Sequence, residues 1–351
     1  MNPEKEIINL RNEIHKHTHL YYVEDAPIIS DYEFDILLNK LVDFENKFPN
    51  FFDPNSPTQR VGGKVSKNFQ SIEHDFPMYS LDNSYSKEDL ENFHNRVLKK
   101  ISNKDLNYLC ELKFDGVSIN LTYENGIFVR AVTRGDGIKG DDVTENVKTI
   151  KTIPLKLKGN FPLKFQIRGE IFIGLNDFNK MNEERAQNGL EPYMNPRNTA
   201  SGSLKLQDSA LVAKRPLQCF LYQVISDNSK TQSDNLNFAK SWGFKISNTY
   251  KLCNNINEVF QFINDWDKER NNLNFEIDGV VVKVNQINYQ KILGFTSKYP
   301  RWAIAYKFKT MQAQTTLKSV SYQIGRTGAV TPVANLDPVL LGGTIVKRAS
   351  L

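Results

Sequence analysis

The heptapeptide Cys110-Glu-Leu-Lys-Phe-Asp-Gly116 constrains this chain more than any other stretch. In an extended strand successive side chains alternate between faces, so Leu112 and Phe114 turn to a core while Glu111, Lys113 and Asp115 share the opposite face. A lysine between two carboxylates on a strand with an apolar back calls for explanation, because an unpaired charge taken into an interior costs several kcal/mol. An ion pair at the edge of a sheet answers that, and so does a reactive site.

Lysine attacks as the neutral amine. With a reference pKa near 10.4, only about one lysine in several thousand is neutral at pH 7. Desolvation and neighbouring cations favour the neutral form, whereas carboxylates oppose it. An enzyme using Lys113 should therefore bring other cations close. Arg134 in TRGDG, Lys283 in EIDGVVVKV and Lys307 in PRWAIAYKF are the candidates. Each ends or interrupts an apolar run, an expensive place for charge unless a phosphate or carboxylate meets it. Taken singly, each is also compatible with a side chain that buries its stem and keeps its head in water.

A chain of 351 residues with 40% hydrophobic content has room for two or three globular domains. Ile7, Leu10, Ile14 and Tyr21 recur at helical spacing. Ser30 and Glu33 form a capping box ahead of a second helix bearing Phe34, Leu37, Leu38 and Leu41. Residues 1–68 thus read as a small helical module, closed by the Gly-Gly and Lys-rich stretch from Val61 to Asn68. Residues 69–313 mix strands and helices: strands at 108–115, 117–123, 127–133, 165–173, 217–225 and 275–284, and a capped helix from Ser86 to Ile101. The fold class is α+β. Residues 314–351 are strand and turn, too short for a whole barrel.

Charge is nearly balanced, 45 basic against 40 acidic residues, so the net +5 favours a polyanionic partner only mildly. No apolar run approaches the roughly 20 residues needed to span a bilayer, and the amino terminus is charged; the expected location is the cytoplasm. Cys110, Cys219 and Cys253 offer no C-x-x-C pair for zinc. They read as reduced thiols.

ELKFDG, TRGDG, RGE (Arg168 to Glu170), EIDGVVVK and AIAYKF occur in the order of the active-site motifs of the covalent nucleotidyltransferases, and the chain resembles that superfamily. More narrowly it resembles the NAD-dependent bacterial DNA ligases along nearly its whole length, through PMYSLDN, YMNPRNTASGSLKLQD, AKRPL and GRTGAVTPVA. The implied fold is an ATP-grasp-like nucleotidyltransferase domain of the DNA ligase and mRNA capping type, preceded by the helical module and followed by the start of an OB-fold.

The resemblance also implies roles. Lys113 attacks NAD, expels nicotinamide mononucleotide and becomes lysyl-AMP. Glu111, Ser80 and Leu81 hold the adenine side, Arg134 and Glu170 the nucleoside and its ribose, and Lys283 and Lys307 the phosphate. Asp115 and Asp278 orient Lys113 or bind Mg2+ (or Mn2+), two roles that the sequence leaves open. Tyr21, Tyr22, Asp31, Phe34 and Asp35 form the mononucleotide-binding signature, with Phe34 where the family often has tyrosine. Arg197, Lys205, Lys214 and Arg215, in a segment rich in Asn, Ser and Gly, are the expected contacts to the phosphates of nicked double-stranded DNA. Lys205 stands where arginine is frequent.

Members of the family continue through a full OB-fold, a four-cysteine zinc module, a helix-hairpin-helix array and usually a BRCT domain. The zinc site is absent from these 351 residues. The expectation is a monomer that forms lysyl-AMP from NAD and joins nicks poorly or not at all. Two rivals stand beside it: a nucleotidyltransferase that uses ATP, and a non-catalytic nucleotide- or DNA-binding relative.

Overall fold

The computed structural model describes residues 3–60, 68–101, 105–226, 230–309, 313–324, 328–341 and 344–351. All but the last residue of the expected module-closing stretch, Val61 to Asn68, lies outside them, as do the first three residues of GRTGAVTPVA.

The chain opens with helices α1 (Pro3–Tyr22) and α2 (Asp31–Lys47). Both halves of the expected capping box form: Ser30 Oγ accepts from the Glu33 amide at 3.3 Å, and Glu33 Oε2 accepts from the Ser30 amide at 2.8 Å. Ile7, Leu10, Ile14 and Leu41 make a small core, with Phe34, Leu37 and Leu38 packed against it. Tyr21 departs from the expected stripe and is 44% exposed. Arg60 joins the module to the rest of the chain by donating to the carbonyls of Lys148, Ile150 and Ile153.

Next come β1 (Ser71–Glu73), β2 (Asp82–Ser84), helix α3 (Lys87–Lys100) and β3 (Tyr108–Phe114). Strands β4 (Val117–Glu124), β5 (Ile127–Thr133) and β6 (Lys139–Asp141) lead through helix α4 (Thr144–Lys148) to β7 (Lys164–Ile173). Helices α5 (Leu175–Gln187), α6 (Pro196–Leu204) and α7 (Ser209–Ala213) precede β8 (Leu217–Ile225), α8 (Gln232–Trp242), β9 (Lys251–Cys253) and α9 (Ile256–Glu269). The chain continues through β10 (Ile277–Val284), α10 (Ile287–Leu293) and β11 (Ala303–Lys307) to an antiparallel set, β12 (Leu317–Ile324), β13 (Val330–Leu341) and β14 (Thr344–Ser350). All six strands read from hydrophobic pattern form, to within two residues at their ends.

Two sheets carry the central unit. One has the order β2-β11-β10-β3-β9, the other β5-β4-β7-β8. Each backs onto its own helices and its own core. Leu90, Phe93, Val97, Tyr108, Val259 and Val282 lie beneath the first, and Ile119, Tyr123, Phe165, Ile167, Leu236 and Phe244 beneath the second. The step from one sheet to the other takes only Asp115 and Gly116, between β3 and β4. Gly116 permits it, because a Cβ there would lie 2.2 Å from the Ile171 carbonyl oxygen. Motif and fold meet here: the D-G of ELKFDG is the hinge between two layers.

Gly279 on β10 is as tightly placed. A Cβ would lie 1.9 Å from the Tyr306 carbonyl oxygen on β11, so Gly279→Ala must spread two central strands. A loss of about 1–3 kcal/mol is expected, read as a lowered thermal midpoint; a midpoint equal to that of the parent would contradict this packing.

Candidate active site

The register of three antiparallel strands brings the charged motifs together. Lys113 on β3 is opposite Gly279 on β10, and Gly279 is opposite Lys307 on β11. One row further along lie Glu111, Val281 and Ala305. With no side chain on Gly279, the stems of Lys113 and Lys307 converge across it. Strand β10 carries a bulge there: Ile277 is opposite Phe114 and Gly279 opposite Lys113, leaving Asp278 as the extra residue. A bulge re-aims a side chain, and this one puts the Asp278 carboxylate between both ammonium groups. Lys113 Nζ lies 3.2 Å from Asp278 Oδ1, and Lys307 Nζ is in close contact with Oδ2.

Glu111 shares the Lys113 side of β3, but neither it nor Asp115 is the partner of Lys113. Glu111 forms a close ion pair with Lys283, both side chains being over nine-tenths buried. Lys283 Nζ also donates to the Tyr222 carbonyl at 3.0 Å. Burial pushes the Glu111 carboxyl above its ordinary value, and Lys283 offsets part of that rise. Asp115 has left the strand and accepts from Arg197 at 2.7 Å. Strand alternation identified the face, whereas the bulge and the interlayer step decide the pairing.

The second sheet supplies the opposite wall. Ser118 on β4 faces Glu170 on β7 in register and donates to its Oε2 at 2.7 Å. Burial raises the Glu170 carboxyl to about 7, against the opposing pull of Ser118, Lys113, Arg197 and Arg134. Arg168, next but one to it, donates to the carbonyls of Phe76 and Pro77 and so fixes the segment leading to Ser80 and Leu81. TRGDG is a turn: Gly135 and Gly137 have φ of +55° and +95°, and Asp136 Oδ1 accepts from the amides of Ile138 and Lys139. It presents Arg134 at the mouth.

Between the sheets is a cavity of about 660 Å³. Ser80, Leu81, Glu111, Lys113, Arg134, Glu170, Lys283 and Lys307, all expected from sequence, line it. Ser118 and Tyr222 line it too and went unread. The polar alternation Ser118, Asn120, Thr122 and Glu124 along β4 signals the first, whereas nothing in the LQCFLYQVI run of β8 singles out Tyr222. Tyr79, Phe295 and Trp302 add an aromatic margin, with Tyr79 stacked on Phe295 at 4.8 Å. This volume is ample for a nucleotide.

Of the residues expected to meet DNA, Arg197 and Lys205 also line the cavity, Lys205 paired with Asp141 at 2.8 Å. Lys214 and Arg215 are not part of the lining; Lys214 caps α7, and the Arg215 guanidinium lies 5.5 Å from the centre of the Tyr193 ring. Among the described residues the lining includes none of the helical module. Tyr22 instead accepts from Lys151 and Lys245, through its hydroxyl and its carbonyl respectively. Phe34 packs on the module's own core, while Asp31 and Asp35 are exposed. Among the described residues no cluster of three or more His, Cys, Asp or Glu side chains is arranged to hold a metal ion. Asp115 and Asp278, the two carboxylates that the sequence offered to a metal, are both paired with cations.

Residues 66–311 match the family model described as NAD-dependent DNA ligase adenylation domain. Residues 1–62 match the DNA ligase-like, N-terminal NAD+-binding domain, and residues 314–351 the NAD-dependent DNA ligase OB-fold domain. Over its whole length the chain is 61% identical to a DNA ligase of Flavobacterium johnsoniae, covering 53% of that protein. It is 60% identical to a DNA ligase of Flavobacterium psychrophilum over 99% of the chain and 52% of that protein. Identity to a DNA ligase of Bacteroides fragilis is 54%, over the whole chain and 53% of that protein. The chain therefore spans about half the length of these curated relatives.

Two outcomes follow from the charges. Lys283→Ala leaves Glu111 buried and unpaired, for a loss of about 3–5 kcal/mol, and adding Glu111→Leu should restore most of it; denaturation of both variants checks this. Glu170 has a folded-state value above its unfolded one. Its contribution to stability is therefore fully present below the ordinary glutamate value, falls as pH rises above that value, and is gone once pH has passed through about 7. Glu170→Gln should flatten the thermal midpoint across that window.

Proposed function

Because the chain belongs to the NAD-dependent DNA ligase family, we propose that it performs the first step of ligation, transfer of AMP from NAD to Lys113. The observation that carries this reading is the Lys113 amine, held by Asp278 beside Lys307, on the wall of a nucleotide-sized cavity. Nζ attacks the α-phosphorus, an N–P bond forms, and the P–O bond to nicotinamide mononucleotide breaks. The Lys113 ammonium gives one proton to Asp278, the carboxylate within hydrogen-bond reach, to become the attacking amine, and the second, released as the N–P bond forms, leaves with the departing phosphate or to water. Lys307 shares that carboxylate. Its shift onto an incoming phosphate frees Asp278 for the proton and neutralises charge growing on the phosphoryl oxygens.

Glu111, Ser80 and Leu81 suit the adenine end, and Glu170 and Arg134 the ribose. Glu170 accepts from a sugar hydroxyl best as the carboxylate, so nucleotide binding should favour its deprotonation. The helical module recognises the mononucleotide half through Tyr21, Tyr22, Asp31, Phe34 and Asp35. Since those residues are outside the cavity, the module must travel before they meet the same NAD molecule. Any Mg2+ is carried in by the nucleotide's phosphates. AMP then passes to the 5′-phosphate of nicked DNA, with Arg197 and Lys205 at the cavity mouth and Lys214 and Arg215 beyond it as phosphate contacts. On this reading the protein serves DNA replication and repair, and the cytoplasm is its expected location.

Intact-mass measurement after incubation with NAD should show an adduct of AMP size, absent in Lys113→Ala and removed by added nicotinamide mononucleotide. ATP in place of NAD should give none; adduct formation from ATP alone would overturn the choice of donor. Asp278→Asn should slow adduct formation by about a hundredfold or more.

A further inference from the structure

A second cavity, of about 150 Å³, lies where the helical module meets the central unit. Its lining shares no residue with the first. The module contributes His15, Lys16 and Arg60, and the central unit Lys151, Lys156 and Lys158. His19 completes the set, and among the described residues no Asp or Glu belongs to the lining. Two surfaces of like charge have been brought together, an arrangement that repels unless something negative joins them.

The surrounding groups register that repulsion. Burial, then Arg60 and Lys156, hold the His15 imidazole down at about 4, with Asp53 the opposing charge. Burial and the Lys16 ammonium lower Lys158, against a partial offset from Glu24. The Arg60 guanidinium has carbonyls for partners, at 2.9 to 3.2 Å, and among the described residues no carboxylate pairs with it. Those bonds fix its plane, while Lys151 is steadied by its contact with the Tyr22 hydroxyl at 2.8 Å. Among the described residues Lys16, Lys156 and Lys158 form no ion pair and remain open to a ligand. Glu24, the carboxylate that acts on Lys158, is paired with His19 at 2.8 Å.

We propose that this junction is a phosphate-binding site, in which one phosphate group bridges Lys16 and Arg60 of the module to Lys156 and Lys158 of the central unit. A tetrahedral dianion suits both the volume and the charge, and a guanidinium fork with several ammonium groups is the chemistry that recognises it. A ligand held from both sides stabilises this placement of the module. On the reading that the module carries the mononucleotide-binding residues, phosphate here also restrains the travel that NAD use requires. The group can come from a free phosphate or from a DNA backbone.

Calorimetric titration of the chain with inorganic phosphate, without NAD, tests the site independently of the adenylation reading. Three proteins are compared: the parent, Lys156→Ala with Lys158→Ala, and Lys283→Ala with Glu111→Leu, which alters the nucleotide cavity. Lys156 and Lys158 are exposed, so the first double variant should melt with the parent. Saturable binding is expected in the parent and the cavity variant and should weaken by roughly tenfold or more in Lys156→Ala with Lys158→Ala. Equal affinity in that variant, or binding lost only in the cavity variant, overturns the proposal. In a second arm, a short DNA duplex displaces phosphate if the backbone is the natural source and leaves it bound if a free phosphate is.

Discussion

Charge on a sheet face shielded from water is tolerated only when each group has its opposite at hand, and the face formed by β3, β10 and β11 carries Glu111, Lys113, Asp278, Lys283 and Lys307 together. Everything else about the central unit can be traced to satisfying them. The apolar backs of the same strands require a core and the helices α3 and α9 over it. The second sheet closes over the charged side, and its own Ser118, Arg168 and Glu170 extend the polar wall. A cavity remains because neither face can collapse onto the other without stripping solvent from paired ions.

That arrangement is also a store of reactivity. Lys113 and Lys307 hold a single carboxylate between them, so a phosphate entering the cavity competes for one of the two cations and changes the partner of the other. A buried pair such as Glu111 with Lys283 has no such freedom: both members are enclosed, and Lys283 is further tied to the Tyr222 carbonyl. The same residue types therefore divide into a rigid pair that shapes the wall and a looser trio that can exchange partners. Exposure makes the difference, for about a quarter of each side chain in the trio is open to solvent and less than a tenth in the pair.

The helical module obeys a different balance. Its core is four buried aliphatic residues with a ring of half-buried ones, and its contacts with the central unit include those of Arg60 and Lys245 to carbonyls, Lys151 to the Tyr22 hydroxyl and Lys245 to Asp25. Contacts of that kind exchange readily for water. A body attached in this way can be displaced without exposing a large core.

Much of this was legible in the sequence. Periodicity set the six strands, the Ser30 and Glu33 capping box, and the apolar stripe of α1 through Ile14, because those are decided by neighbours a few residues apart. Alternation also named the charged face of β3, and the ordered motifs named most of the cavity lining. What alternation could not contain is a bulge. Without it Asp278 belongs to the far face of β10; with it, the carboxylate lies between Lys113 and Lys307, and Glu111 and Asp115 are left to Lys283 and Arg197. Ser118 and Tyr222 entered the wall through register between strands distant in sequence, and Tyr21, Tyr22, Asp31, Phe34 and Asp35 lie away from Lys113 although their residue types suit the nucleotide. Sequence determined which groups this protein owns and which faces they occupy, since both follow from local geometry; pairing and distance were decided by tertiary structure alone, since both depend on how separate segments align.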